Sequence, residues 1–385
     1  MKDKTNDRLY AKLVSSIFLS LMMFTVIKRL LFFTKYSIII ATAASFIIPI
    51  CIFFKIIWQS KLKINYGYIL LLIFIVSALY MISFLRGVPF NSVLQYYFFT
   101  IYGLLLMYFT FSVKKLDVLY DEFQKKSFYI SLVAILIIFS NRANNPYNMR
   151  FSYILSIALY FQTIKLINNF KITNLFFVVM DLYLILIYGS RGPLLCYCIF
   201  LIIYIIFNKN NIYIKFFFCS FILFVYMYFD KIIMFISGVM SRFNITSRTL
   251  YLMVGDLSHN SGRDIILGKT KELIQAHPIM GLGVAGEFKY MIEYPHNIFF
   301  DLLLHWGVIL GTALFIFLLV LIIKSFIKAT NKKRMLLLVF TCYGFVALFF
   351  SGTYLSWDGF YILFGIMIRI LIGKEDLEWT VKVNY

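Results

Sequence analysis

Runs of about 20 apolar residues, parted by short basic breaks, recur along almost the whole sequence. Nothing else in it restricts folding as tightly. In hydrocarbon every backbone N–H and C=O must find its partner inside the protein, so only helices or a closed barrel can cross. The runs are continuous and do not alternate, which excludes the barrel. Of 385 residues, 62% are hydrophobic and 14% charged, where a soluble domain would carry roughly 25% charged. Mean hydropathy is +0.86.

The expected fold is an all-α polytopic membrane bundle of about twelve transmembrane helices. They are placed at 11–30, 36–57, 66–85, 93–112, 127–140, 150–167, 174–189, 192–207, 213–235, 298–324, 335–351 and 355–373. No repeat or low-complexity linker divides residues 1–385, so they form a single membrane domain. Between the ninth and tenth helices, residues 236–297 form one large external loop with short helices of its own. The first apolar run lacks a small-residue cleavage site and is expected to stay as a span. Cys51, Cys196, Cys198, Cys219 and Cys342 all sit in apolar runs without metal-type spacing and are expected to pack.

The net charge of +20 would suggest nucleic acid in a soluble protein. Here it reads as positive-inside topology, with both termini cytoplasmic. Lys61, Lys63, Lys114, Lys115, Lys125, Lys126, Lys171, Lys209, Lys328, Lys332, Lys333 and Lys374 then fall inside. Arginines break the pattern. Arg29, Arg86, Arg142, Arg150, Arg191, Arg242, Arg248 and Arg263 fall outside, and only Arg8, Arg334 and Arg369 do not. A guanidinium is planar, always charged and grips phosphate oxygens with a two-pronged fork. The outer face is therefore expected to hold an anion at the membrane boundary.

The segment from Asp256 to Gly311 is the one long polar stretch, and it holds all four histidines: His259, His277, His296 and His305. A helix is expected from Asp264 to Ala276, with Ser261 as cap and Arg263 in its first turn, where a cation opposes the helix dipole unless an anion sits opposite. Gly281-Leu282-Gly283 permits close backbone approach and is no dinucleotide fingerprint. Pro295-His296-Asn297 enters the tenth helix. Asn297 is a cap residue, His296 a candidate general base, and Asp301 a group that could orient it. The bland alternative for His296 is an interfacial histidine. Some 70 residues earlier, Gly189-Ser190-Arg191-Gly192-Pro193 is a tight turn presenting Ser190, Arg191 and helix N-terminal N–H groups to an anion. Its bland alternative is an arginine meeting lipid phosphate. Asp181 and Asp358 are intramembrane acids and carry a functional flag.

Together these pieces resemble the O-antigen ligase and O-antigen polymerase superfamily of bacterial envelopes. The resemblance rests on Gly189-Ser190-Arg191-Gly192, on Gly262-Arg263, and on His277-Pro278-Ile279-Met280-Gly281-Leu282-Gly283, which matches a P-x-x-G-x-G element. It also rests on Pro295-His296-Asn297 ahead of Gly307 and Gly311. It is close over 185–312 and loose elsewhere.

The resemblance implies a glycosyltransferase in the bacterial cytoplasmic (inner) membrane, its active site facing outside. The donor would be a glycan on undecaprenyl pyrophosphate, and the acceptor another glycan or lipid A–core. His296, Arg263 and Arg191 would be catalytic. Arg242, Arg248, Ser190, Asn297, Gly281, Gly283 and Asp301 would bind substrate. No cofactor, metal or nucleic acid is implied, and the sequence shows no acidic cluster suited to Mg²⁺. A flippase and a chain-length regulator are expected as partners. Polymerisation of repeat units is preferred over ligation to lipid A–core. A flippase function is the reading from another class, and the missing internal repeat counts against it.

Overall fold

The computed structural model describes residues 7–18, 66–140, 149–188, 191–207, 263–291 and 293–373, with a few isolated positions elsewhere. Among these residues every element is helical. The helices are α1 (7–18), α2 (Tyr66–Leu85), α3 (Phe90–Ser112), α4 (Leu116–Ser140), α5 (Met149–Asn168) and α6 (Ile172–Tyr188). There follow α7 (Arg191–Phe207), α8 (Arg263–Ala276), α9 (Ile298–Lys328), α10 (Asn331–Gly344) and α11 (Asp358–Ile372). Single 3₁₀ turns occupy Gly286–Lys289 and Val346–Phe349.

Among the described residues three helices are long and apolar enough to cross a membrane: Gly67–Leu85, Phe90–Ser112 and Ile298–Lys328. Ile172–Ile187 and Arg191–Phe207 are apolar but shorter. Most of the expected spans 11–30, 36–57 and 213–235 lies outside the described residues. Two expected boundaries need correction. The helix expected at 127–140 begins at Leu116, because Leu116, Leu119, Tyr120 and Phe123 are all buried and sit on one face at helical spacing. Asp117, Asp121 and Glu122 on the other face hide this helix from an apolar-run reading. The helix expected at 335–351 runs from Asn331 to Gly344, and a 3₁₀ turn follows.

The core lies between α3, α4, α5, α7, α10 and α11 and is rich in rings. Tyr160 stacks on Phe200 at 4.5 Å, and Phe123 meets Phe340 edge-on at 4.9 Å. Helices α3 and α11 cross closely because Gly365 has no side chain. A Cβ there would stand 2.7 Å from the Met107 carbonyl oxygen, the small-residue contact by which membrane helices approach. Leu71, Phe74, Ile309 and Ile327 stay exposed, as an apolar lipid-facing surface requires. Cys196 and Cys342 are buried, whereas Cys198 faces outward on the same helix as Cys196. Cys219 lies outside the described residues.

Charged residues sort by end. Lys332 pairs with Asp121 at 2.7 Å, Arg8 lies 3.7 Å from Glu122, and Arg369 donates to the Lys114 carbonyl at 3.2 Å. The segments 7–12, 114–126, 328–334 and 369–373 thus gather at one end of the bundle. Arg150 and Arg191 open α5 and α7 at the opposite end. Arg86 and Lys289 meet there as well, by a 2.8 Å hydrogen bond.

Candidate active site

The site is built on a broken helix. In α9, Gly307 has φ 78 and ψ 172, a conformation open essentially to glycine alone. The break frees backbone groups that a continuous helix would pair. The segment Pro278–Gly283 pairs them instead. Leu282 N–H donates to the Leu304 carbonyl at 2.8 Å, Gly283 N–H to the His305 carbonyl at 3.0 Å, and Val308 N–H to the Pro278 carbonyl at 2.7 Å. Glycines are needed at this contact. A Cβ on Gly281 would lie 2.5 Å from the His305 carbonyl oxygen and 2.6 Å from Gly307 N. The faces of Gly281 that a side chain would fill are therefore covered by helix backbone.

His296 stands just before α9. Its backbone is left-handed, φ 57, a region histidine visits more readily than most residues. Asn297 caps the helix, its side-chain oxygen accepting from Phe299 N–H at 3.0 Å and Phe300 N–H at 3.4 Å. The His296 ring packs on Tyr294 at 4.4 Å, and Nε2 lies 3.6 Å from a carboxylate oxygen of Glu293. Nδ1 is buried without a partner among the described residues. Burial lowers the pKa of His296, the nearby Arg263 guanidinium lowers it further, and Glu293 opposes both. The imidazole is thus held neutral at neutral pH, the state a general base needs. Arg263 opens α8, within electrostatic reach of His296.

Asp301 does not orient His296, as the sequence had suggested. It is wholly buried on α9 and turns to His305 and Glu287. The donor atoms of Glu287, Asp301 and His305 lie within 4.8 Å of one another. An acidic cluster therefore does exist, although none was visible in the sequence. His305 Nε2 meets Glu287 at 2.6 Å, His305 Nδ1 meets the Tyr354 hydroxyl at 2.9 Å, and Trp306 Nε1–H donates to that hydroxyl at 3.0 Å. Both imidazole nitrogens are thereby committed. Neither Asp301 oxygen makes a hydrogen bond of good geometry, although Thr353 and the Tyr354 backbone flank it. The second Glu287 oxygen is likewise unpaired. These donors could hold a cation, since two carboxylates and an imidazole suit one chemically.

The 350–354 segment links this cluster to Arg191. A Cβ on Gly192 would collide with the Tyr153 hydroxyl and lie 3.4 Å from Phe350 Cβ. Phe350 then leads through Thr353 and Tyr354 to Asp301 and His305. Arg263 thus lies within electrostatic reach of His296, and the 350–354 segment packs beside Gly192, next to Arg191. Ser190, Arg242 and Arg248 lie outside the described residues, as does the expected cap Ser261. Beyond the cluster, Asp358 accepts from the Tyr343 hydroxyl at 3.0 Å and from Gly359 N–H at 2.9 Å, within electrostatic reach of Arg150. Asp181 accepts from Ser131 at 2.8 Å and ties α6 to α4.

Glu287, Thr353 and Tyr354 were missed by the sequence reading. An acid four residues beyond Gly281-Leu282-Gly283, matched by a histidine inside an apolar run, was the available signal for the first of them.

Residues 176–316 match a family model described as O-antigen ligase. The matched segment carries Arg191, Arg263, His296 and the broken part of α9. No curated protein matches the chain.

Proposed function

We propose that this chain, whose residues 176–316 match a family model described as O-antigen ligase, is a membrane glycosyltransferase that polymerises lipid-linked glycan repeat units. The observation that carries the reading is His296 at the entrance to α9, its Nδ1 buried without a partner among the described residues and its imidazole held neutral by burial and by Arg263 within electrostatic reach. In the proposed reaction the acceptor sugar hydroxyl attacks the anomeric carbon of the donor. Its proton passes to His296, and the bond from that carbon to the pyrophosphate oxygen breaks. The polyprenyl pyrophosphate leaves with the electron pair. Arg263 and Arg191 meet its growing charge, a role in which fixed donors are worth roughly 10²–10³ in rate. A base such as His296 contributes roughly 10²–10⁴. Attack opposite the leaving group inverts the anomeric centre.

The description of the matched family favours a second reading, in which the finished glycan moves to lipid A–core. The same residues would serve. Purified protein given an undecaprenyl-pyrophosphate glycan with no other acceptor distinguishes the two. A polymerase makes a ladder of longer glycans, whereas a ligase turns over only when lipid A–core is added. Full transfer by both Arg263→Ala and His296→Ala would end the catalytic proposal.

A further inference from the structure

A second site lies at the other end of the bundle. A cavity of about 590 Å³ opens there between α4, α5, α7 and the start of α10, within the size range of ligand pockets. Its distance from the transfer site follows from the helices that join them. In α7, Arg191 is the first residue and Phe207, which lines the cavity, is the last. Seventeen residues of helix span about 25 Å. In α5, Arg150 stands at the start and Asn168, another lining residue, ends the helix.

The lining selects for an anion. Lys332 and Arg334 supply cationic groups, and among the described residues no carboxylate belongs to the wall. Asp121, beside it, is held by Lys332 at 2.7 Å. Arg334 Nε is buried with no partner among the described residues, while its NH2 group donates to the Ala329 carbonyl. The N-terminus of α10 opens into the same space, and its cap residue Thr330 makes no side-chain bond to the first-turn N–H groups. Such N–H groups suit phosphate oxygens. The rest of the wall combines Phe207, Met335 and the rings of Tyr120 and Tyr204 with the amides of Gln124 and Asn168. A bare phosphate would leave most of that surface unused.

We infer that this cavity binds the phosphate headgroup of an anionic membrane lipid, with the glycerol and first acyl carbons against the aromatic wall. Basic pockets between membrane helices on the lysine-rich side are suited to such headgroups. The site is separate from glycan transfer and does not depend on that reading.

Native mass spectrometry of the full-length protein in detergent tests it, with phosphatidylglycerol titrated against phosphatidylcholine of the same acyl chains. Phosphatidylglycerol should bind about thirtyfold more tightly, the advantage of two basic side chains. Asn331→Asp should abolish that preference. An acid at a helix N-terminus favours the helix, so this variant should fold, yet it sets a negative charge where the phosphate sits. Lys332→Gln, at a partly exposed side chain, should reduce the preference by a factor of about five. Equal binding of the two lipids, or an undiminished preference in Asn331→Asp, overturns the proposal. So does full displacement of the lipid by millimolar inorganic phosphate, which would make the natural ligand a soluble anion.

Discussion

Replacing Gly307 by alanine should loosen the site without touching any proposed catalytic group. The magnitude follows from the geometry. At φ 78 and ψ 172 a non-glycine residue is strained by about 1–3 kcal/mol. The new Cβ would also collide with the Ile279 carbonyl oxygen and stand 2.8 Å from the Pro278 carbonyl oxygen. Relief requires Pro278–Gly283 to move away, which breaks the three backbone hydrogen bonds across the break, each worth about 1 kcal/mol. The expected destabilisation is roughly 4–6 kcal/mol. At about 2 °C per kcal/mol for a chain of this size, the unfolding midpoint should fall by roughly 10 °C. Thermal unfolding followed by tryptophan fluorescence is a suitable assay, because Trp306 adjoins the break. Gly268→Ala is the control. Nothing lies within 4 Å of a Cβ at Gly268, in the middle of α8, so alanine there should stabilise by about 0.5–1 kcal/mol. If Gly307→Ala melts no earlier than Gly268→Ala, the contact between Pro278–Gly283 and α9 is not what holds the break.

The acid limb of the pH profile for glycan transfer should lie below the ordinary histidine value of about 6.5, because burial and Arg263 lower the pKa of His296. Glu293→Gln should move the limb further down and Arg263→Gln should move it up; shifts in the opposite sense would exclude His296 as the titrating base. The folded state prefers the neutral imidazole, so its stability should fall as pH drops from about 6.5 towards that lowered value. Asn297→Ala should lower stability by about 1 kcal/mol through loss of the cap, and Asn297→Asp should restore it, as read by thermal unfolding. Transfer should survive treatment with a chelator, since His305 is already committed to Glu287 and Tyr354. Activity lost to the chelator and regained with a divalent ion would assign a metal to Glu287, Asp301 and His305.

The helices that face lipid were legible because their apolar runs are continuous, as in α2 and α3. The charged helix α8 was legible too, from its apolar side and the proline after it, whereas the start of α4 was not. The first turns of α4 bury Leu119, Tyr120 and Phe123 but read as loop, because acidic and basic side chains share them. Around the candidate site, the Asn297 cap and the helix start at Arg263 were legible because turn and cap chemistry marks them locally. The His305–Glu287 pair was hidden for a physical reason. It exists only because α9 breaks at Gly307 and the 281–289 segment folds back across the break, and neither event shows in residue spacing. For the same reason Asp301 was given the wrong histidine.

The break in α9 also divides its length. Intact, thirty-one residues of helix would measure about 46 Å, well beyond a hydrocarbon layer of about 30 Å. The stretch from Val308 to Lys328 alone measures about 31 Å. A span of that length is enough for the whole hydrocarbon, which leaves 298–306 as helix beyond what a crossing needs. There the Leu304 and His305 carbonyls are taken up by Leu282 and Gly283. The break thus parts one helix into a piece long enough to cross and a piece, next to the proposed base, held by the 278–283 segment.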